Sequence, residues 1–202
     1  MPTYATFSSP TSTSAAPKIR TDTRLYLKVP KAPGLAQHDC VGSIYLHNPG
    51  SASPSAHGLV KNDNTLNVID GIFRKAMACK KFKNTYSDPY IEILNLCYYA
   101  TPNKKSAYAH FISSGSGLNQ NISPKSNFVW IAWGTDLSFQ GPLITAILDI
   151  QKSGHPAFCY DGSKKSVVDW DPNVSFPAHP SRSASRYPNY ASDVATKLAT
   201  YL

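Results

Sequence analysis

Apolar residues recur along the chain in blocks of two kinds, and their alternation predicts the fold. Val41–Leu46 (VGSIYL), Tyr90–Leu96 (YIEILNL) and Phe128–Trp133 (FVWIAW) are short runs rich in β-branched and aromatic residues, each of strand length. FVWIAW is apolar at every position, as a central parallel strand covered on both faces should be. Between these runs lie segments whose apolar residues fall three and four apart. In Leu66–Met77, Val68, Ile69, Ile72, Phe73 and Ala76 share one helical face, and Asn64 is placed to cap its start. Pro142–Gln151 reads as a helix with proline in its first turn. Ser192–Leu202 reads as a last helix capped by Ser192, with Val194, Leu198, Tyr201 and Leu202 as its apolar face. Leu25–Val29 alternates and stops at Pro30, which predicts an edge strand. Strands alternating with helices predict an α/β fold, an open, mostly parallel sheet with helices on both faces. In such folds the functional loops gather beyond the carboxyl ends of the strands.

Two stretches fall outside this rhythm. Residues 1–23 are rich in Ser, Thr, Pro and Ala and predict a flexible N-terminal arm, leaving 24–202 as one domain. Residues 153–173 read as irregular and polar, with Trp170 isolated among them.

Composition adds a partner class. The 202 residues carry a formal net charge of +8 although only 16% are charged, which favours a polyanion such as nucleic acid. Cys40, Cys79, Cys97 and Cys159 are widely spaced, without the close pairs of a zinc site, so no metal is expected and a reducing compartment fits. No apolar stretch approaches the roughly 20 residues of a membrane span, and no signal-peptide core opens the chain. The expectation is a cytoplasmic monomer.

Three polar segments follow predicted strands: Asn48-Pro49-Gly50 running on to Ala56-His57-Gly58-Leu59, Asn95 at the end of its apolar run, and Ala178-His179-Pro180-Ser181. Each is ordinary alone, since Asn before Pro is a turn signal and His before Pro a surface-loop residue. Together they hold the residue types that cleavage of an N-glycosidic bond needs. That chemistry wants a polar group to place water, a donor where charge collects on the departing base, and an amide to read an everted base.

In type and order these segments resemble the uracil-DNA glycosylase superfamily. Asn48-Pro49-Gly50 is similar to the water-positioning motif of its mismatch-type and single-strand-type branches. Ala56-His57-Gly58-Leu59, Asn95, Ile131-Ala132-Trp133-Gly134 and Ala178-His179-Pro180-Ser181 follow in the family's order, so the resemblance spans roughly residues 40–202. It implies a three-layer α/β/α sandwich with a central, mostly parallel four-stranded sheet. It implies a metal-free and cofactor-free DNA glycosylase in which Asn48 positions water and His179 donates to the pyrimidine carbonyl. Asn95 would read the base edge, and Ser51, Ser181, Arg182 and Arg186 would hold DNA.

Departures from the family shape the expected substrate. Gly50 stands where the main branch has a Tyr that excludes C5 substituents, Lys61 replaces a stacking Phe, and Ser183 replaces an apolar wedge. The pocket implied is wide and polar, fit for a C5-substituted or hypermodified cytosine or uracil, with His57 or Lys61 at the substituent. Base-excision repair and defence against modified viral DNA both suit such an enzyme. The alternatives are a non-catalytic DNA- or nucleotide-binding module on the same fold and an enzyme acting on free nucleosides. His155 is expected to be structural or to lie at the rim, Asp169 and Asp171 to sit in a solvated loop, and Tyr98, Tyr99 and Tyr108 to pack in the core.

Overall fold

The computed structural model describes residues 1–8, 19–30, 39–47, 53–54, 59–61, 63–79, 86–100, 105–106, 108–109, 112, 121–134, 140–173 and 175–202, with the backbone alone for 7–8, 53–54 and 61. It is an α/β fold. Its main sheet runs β1 (Thr3–Ser8), β2 (Ile19–Tyr26), β6 (Tyr90–Asn95), β3 (Cys40–Leu46), β7 (Val129–Ile131), β8 (Ala157–Asp161), β9 (Ser166–Asp169) in spatial order. A separate two-stranded ribbon joins β4 (Ser53–Pro54) to β5 (Val60–Lys61). The helices are α1 (Asn64–Cys79), α2 (Gln140–Ser153), α3 (Pro180–Arg186) and α4 (Tyr190–Leu198).

The sheet is therefore mixed and seven-stranded, not the expected four-stranded, mostly parallel one. Its four middle strands, β6-β3-β7-β8, do pair in parallel. Antiparallel strands extend them on both sides, β1 and β2 beyond β6 and β9 beyond β8. The expected flexible arm is corrected by the same pairing. Thr3–Ser8 and Ile19–Tyr26 are strands, because Thr3, Tyr4, Thr6, Ile19 and Thr21 are β-branched or aromatic side chains that suit a pleated surface. β2 is interior rather than the expected edge, since β1 covers it.

The four middle strands bury both faces, which is why they read as apolar runs. All seven residues of β3 are buried. On one face Ile44, Leu46, Ile91, Ile93, Trp130 and Phe158 pack against Leu66, Ile69, Phe73, Val194 and Leu198 of α1 and α4. On the other, Tyr45, Leu94, Val129, Ile131 and Cys159 meet Ala146 and Ile150 of α2. Two helix starts differ from expectation. Asp63, not Asn64, caps α1, its Oδ1 accepting the Leu66 N–H at 3.0 Å. α4 begins two residues before Ser192, whose hydroxyl instead donates to the Asn189 carbonyl at 2.9 Å.

The stretch expected to be irregular at 153–173 is mostly a hairpin, β8–β9, turning through Gly162–Lys165. The Asp161 carboxylate organises that turn. It accepts hydrogen bonds from Ser163 N (2.8 Å), Ser163 Oγ (2.6 Å) and Lys164 N (3.0 Å), and its second oxygen accepts Phe176 N at 3.2 Å.

Candidate functional site

Parallel pairing brings the carboxyl ends of β6, β3, β7 and β8 to one edge of the sheet, where Asn95, His47, the Ala132-Trp133-Gly134 segment and Asp161 follow one another. Backbone hydrogen bonds carry the ladder past the strands proper. Leu96 N–H donates to Leu46 O at 3.0 Å, Cys97 N–H to His47 O at 3.1 Å and Ala132 N–H to Tyr45 O at 2.8 Å. Asn48, one residue beyond His47, lies outside the described residues, as do Gly50, Ser51 and His57. Lys61 pairs through its backbone with Ser53 in the β4–β5 ribbon, and its side chain is outside the description.

Three successive tethers lead the chain to His179 on this edge. Phe176 N–H is held by Asp161, Pro177 forms a bridge with Asp161, and Ala178 N–H donates to Tyr160 O at 2.9 Å. His179 is half-buried in extended conformation (φ −79°, ψ 131°), and α3 starts at the next residue with Pro180 in its first turn. Its Nδ1 lies 3.0 Å from Ser181 Oγ. With that hydroxyl donating, the imidazole proton sits on Nε2. Gly134, with φ +88°, backs onto His179: a Cβ there would lie 3.3 Å from the histidine Cβ. The Trp-Gly and His-Pro-Ser segments, 45 residues apart in sequence, are therefore in contact.

Asn95 is only 3% exposed, and among the described residues neither its amide nitrogen nor its amide oxygen has a hydrogen-bond partner. An unpaired buried amide costs about 1–3 kcal/mol. The cavity that Asn95 lines with Tyr45, Tyr98 and Asp149 is about 20 Å³, room for one water and not for a base. Two strand spacings, roughly 10 Å, separate the end of β6 from that of β7, so the Asn95 and His179 segments flank the end of β3 from either side.

Arg182 and Arg186 are exposed on α3, Arg186 with its guanidinium 5.6 Å from the centre of the Tyr187 ring. Ser181 is half-buried. Ser183 is buried within α3 and does not project as the family's wedge would. His155 Nε2 lies 3.2 Å from Ser123 O, and Tyr98 and Tyr99 are buried with Ile19 and Cys97, as expected, whereas Tyr108 is exposed and Asp169 lies on β9, exposed and paired with Lys197 at 3.0 Å, rather than in a loop.

Arg20 escaped the sequence reading because it sat in a segment taken for a loose arm. It is 1% exposed, its backbone N–H donates to Tyr98 O just past Asn95, and its Nε and Nη1 have no partner. Burial pushes the guanidinium down to about 10, against the opposing pull of Asp63. A basic residue within the Ile19-Arg20-Thr21 alternation was the only available signal.

Comparison with known proteins adds no relative: no protein-family model matches the chain, and no curated protein or solved structure matches it.

Proposed function

We propose that the protein is a monofunctional DNA glycosylase that hydrolyses the N-glycosidic bond of an everted pyrimidine carrying a C5 substituent. The observation that carries this reading is the Asn95 amide, buried and unpartnered on the edge to which His179 is tethered. A folded chain keeps such a group at a cost; a base edge offers the donor and acceptor that would complete it, and because the cavity beside Asn95 holds only one water, binding would have to widen it. His179 supplies the complementary donor from the far side of the β3 end. The order of motifs around residues 48, 95, 134 and 179 supports the same assignment, as does the net charge of +8.

In this reading the bond from the sugar C1′ to the base nitrogen breaks, and the electron pair leaves with the base. His179 Nε2–H donates to the carbonyl oxygen where the negative charge collects. Water, oriented by the Asn48 amide, bonds to C1′ and releases its proton to solvent, and the base is reprotonated on departure. A neutral amide is no general base, so the rate rests on leaving-group stabilisation. Gly50, in place of a bulky ring, would admit the C5 substituent, and His57 or Lys61 would be the residue to contact it. Ser51, Ser181, Arg182 and Arg186 hold the phosphates.

The test is mass spectrometry of bases released from oligonucleotides carrying uracil, mismatched thymine or bulky 5-substituted cytosines, with alkaline cleavage reporting the abasic sites. Release of a substituted base, lost in Asn48→Ala and His179→Ala with DNA binding retained, is expected. Binding without release from any substrate would leave a non-catalytic nucleic-acid module. Release of plain uracil alone would overturn the wide pocket.

A further inference from the structure

Beyond Gly134, on the α2 side of the sheet, lies a half-open cleft of about 290 Å³ walled by Trp133, Leu143, Ile147, Trp170, Pro172 and Phe176. None of these residues has a part in the chemistry above. The volume sits at the small end for ligand sites, roughly 300–1,000 Å³, and suits one or two rings rather than a folded partner. Its aromatic walls are fixed before anything binds. Trp133 and Trp170 meet edge to face at 5.9 Å, and Trp170 N–H donates to Ala157 O at 2.9 Å. Phe176 is held at both backbone groups, its N–H by Asp161 and its carbonyl by Gly162 N–H at 2.9 Å, yet its ring is 54% exposed. An apolar ring held in water by a clamped backbone is an ordered stacking surface, with no described residue stacked on it.

We propose that this cleft binds the nucleobase flanking the everted one, so that the protein takes its target from a locally single-stranded segment. The proposal rests on the glycosylase reading for the identity of the neighbouring base. Charge points to the same occupant: Lys164 and Lys165 are exposed on the β8–β9 turn beside Phe176, and Arg182 and Arg186 are exposed beyond His179. A strand passing His179 would meet cations on both sides and an apolar aromatic slot between them. Base stacking on such side chains tolerates any sequence and is disrupted by removing either the base or the ring.

The protein reports on this site itself. Of its three tryptophans, Trp130 is fully buried in the core, and the other two line the cleft. The full chain is titrated with an eight-residue oligodeoxythymidylate and with an abasic oligomer of equal length, following tryptophan fluorescence and anisotropy of a labelled strand. The expected result is a fluorescence change with the thymidylate, and an affinity about five- to a hundredfold tighter than for the abasic oligomer. Phe176→Ala, at an exposed ring, and Trp170→Ala should each shrink that ratio several-fold while leaving the affinity for the abasic oligomer unchanged. Equal affinity for the two oligomers, or a ratio untouched in both variants, overturns the subsite. Base release from a substituted oligonucleotide is measured alongside. Release without base-dependent binding removes the subsite alone, and base-dependent binding without release removes the glycosylase reading alone.

Discussion

Gly134 and His179 stand in contact across the top of the sheet, the glycine Cα facing a histidine Cβ that would lie 3.3 Å from any side chain placed there. The glycine is also left-handed, at φ +88°, a conformation that costs an L-residue about 1–2 kcal/mol. Both facts make Gly134 the floor against which His179 is set. Gly134→Ala should lower the unfolding free energy by roughly 1–3 kcal/mol and, by displacing the imidazole, reduce base release by more than that loss predicts. Urea denaturation and single-turnover kinetics on the same variant check it.

Asn95 separates stability from function. Replacing its orphaned amide with the similar-sized Leu side chain removes a desolvation cost, so Asn95→Leu should raise the unfolding free energy by about 1–3 kcal/mol. The same change should abolish recognition of the base. A variant that melts higher and no longer releases base meets the expectation; one that melts lower shows that the amide has a structural partner.

The Asp161 carboxylate fixes the approach to His179. Burial pushes it up, but four hydrogen bonds together outweigh that and hold it below the usual carboxylate value. A depressed folded value means stabilisation that is full above the unfolded value near pH 4 and lost as pH falls through the folded one. Asp161→Asn should therefore flatten the acid limb of the stability curve, and Asp161→Ala should cost at least about 3 kcal/mol at neutral pH. Thermal melts between pH 2 and 7 read both.

Glu92 has the opposite sign. Burial raises its carboxyl, only partly countered by hydrogen bonds from Ser123 N at 3.2 Å and Ser43 Oγ at 3.1 Å. The folded state holds this proton more tightly than the unfolded one, so its contribution is favourable at low pH and declines as pH rises from the unfolded value, near 4.3, through the folded one. Glu92→Gln should remove that decline, visible as a smaller loss of stability between pH 4 and 7.

Gly42 sits within β3 where a Cβ would fall inside the Phe128 ring. Gly42→Ala should destabilise by about 1–3 kcal/mol or more, and Phe128→Leu in the same chain should recover part of that loss. A double-mutant cycle without coupling would contradict the close approach.

Much of the architecture was written in the apolar pattern. VGSIYL, YIEILNL and FVWIAW became β3, β6 and β7, and the segments with three-four spacing became α1, α2 and α4. Strands buried on both faces and helices buried on one leave unmistakable periodicities. β1 and β9 were not read because short strands at sheet edges need little apolar content, and the polar residues around them imitate loops. The β8–β9 turn did carry a signal, Asp161-Gly162 between AFCY and SVV, which the neighbouring lysines obscured.

The site was legible as segments and not as geometry. Sequence placed Asn95 and His179 at strand ends and noted Trp133-Gly134, but contact between residues 134 and 179 depends on tethers from Tyr160 and Asp161 that no local pattern reveals. The missing partner of the Asn95 amide is a property of its surroundings and could not be read from an Asn in an apolar run. Arg20 was hidden for the same reason as β2: its neighbours are small and polar, and only pairing with the 98–99 segment buries it.

The flanking strands β1 and β9 also keep the apolar parallel strands away from the margins of the sheet. Parallel strands as apolar as β3 and β7 would, if left at a margin, offer bare amides and carbonyls to any passing chain. Here each margin is a short antiparallel strand bearing polar residues, among them Thr6 on one side and Ser166 and Asp169 on the other. Two strands with no part in the proposed chemistry thus leave the sheet polar margins where its interior strands would have offered apolar ones.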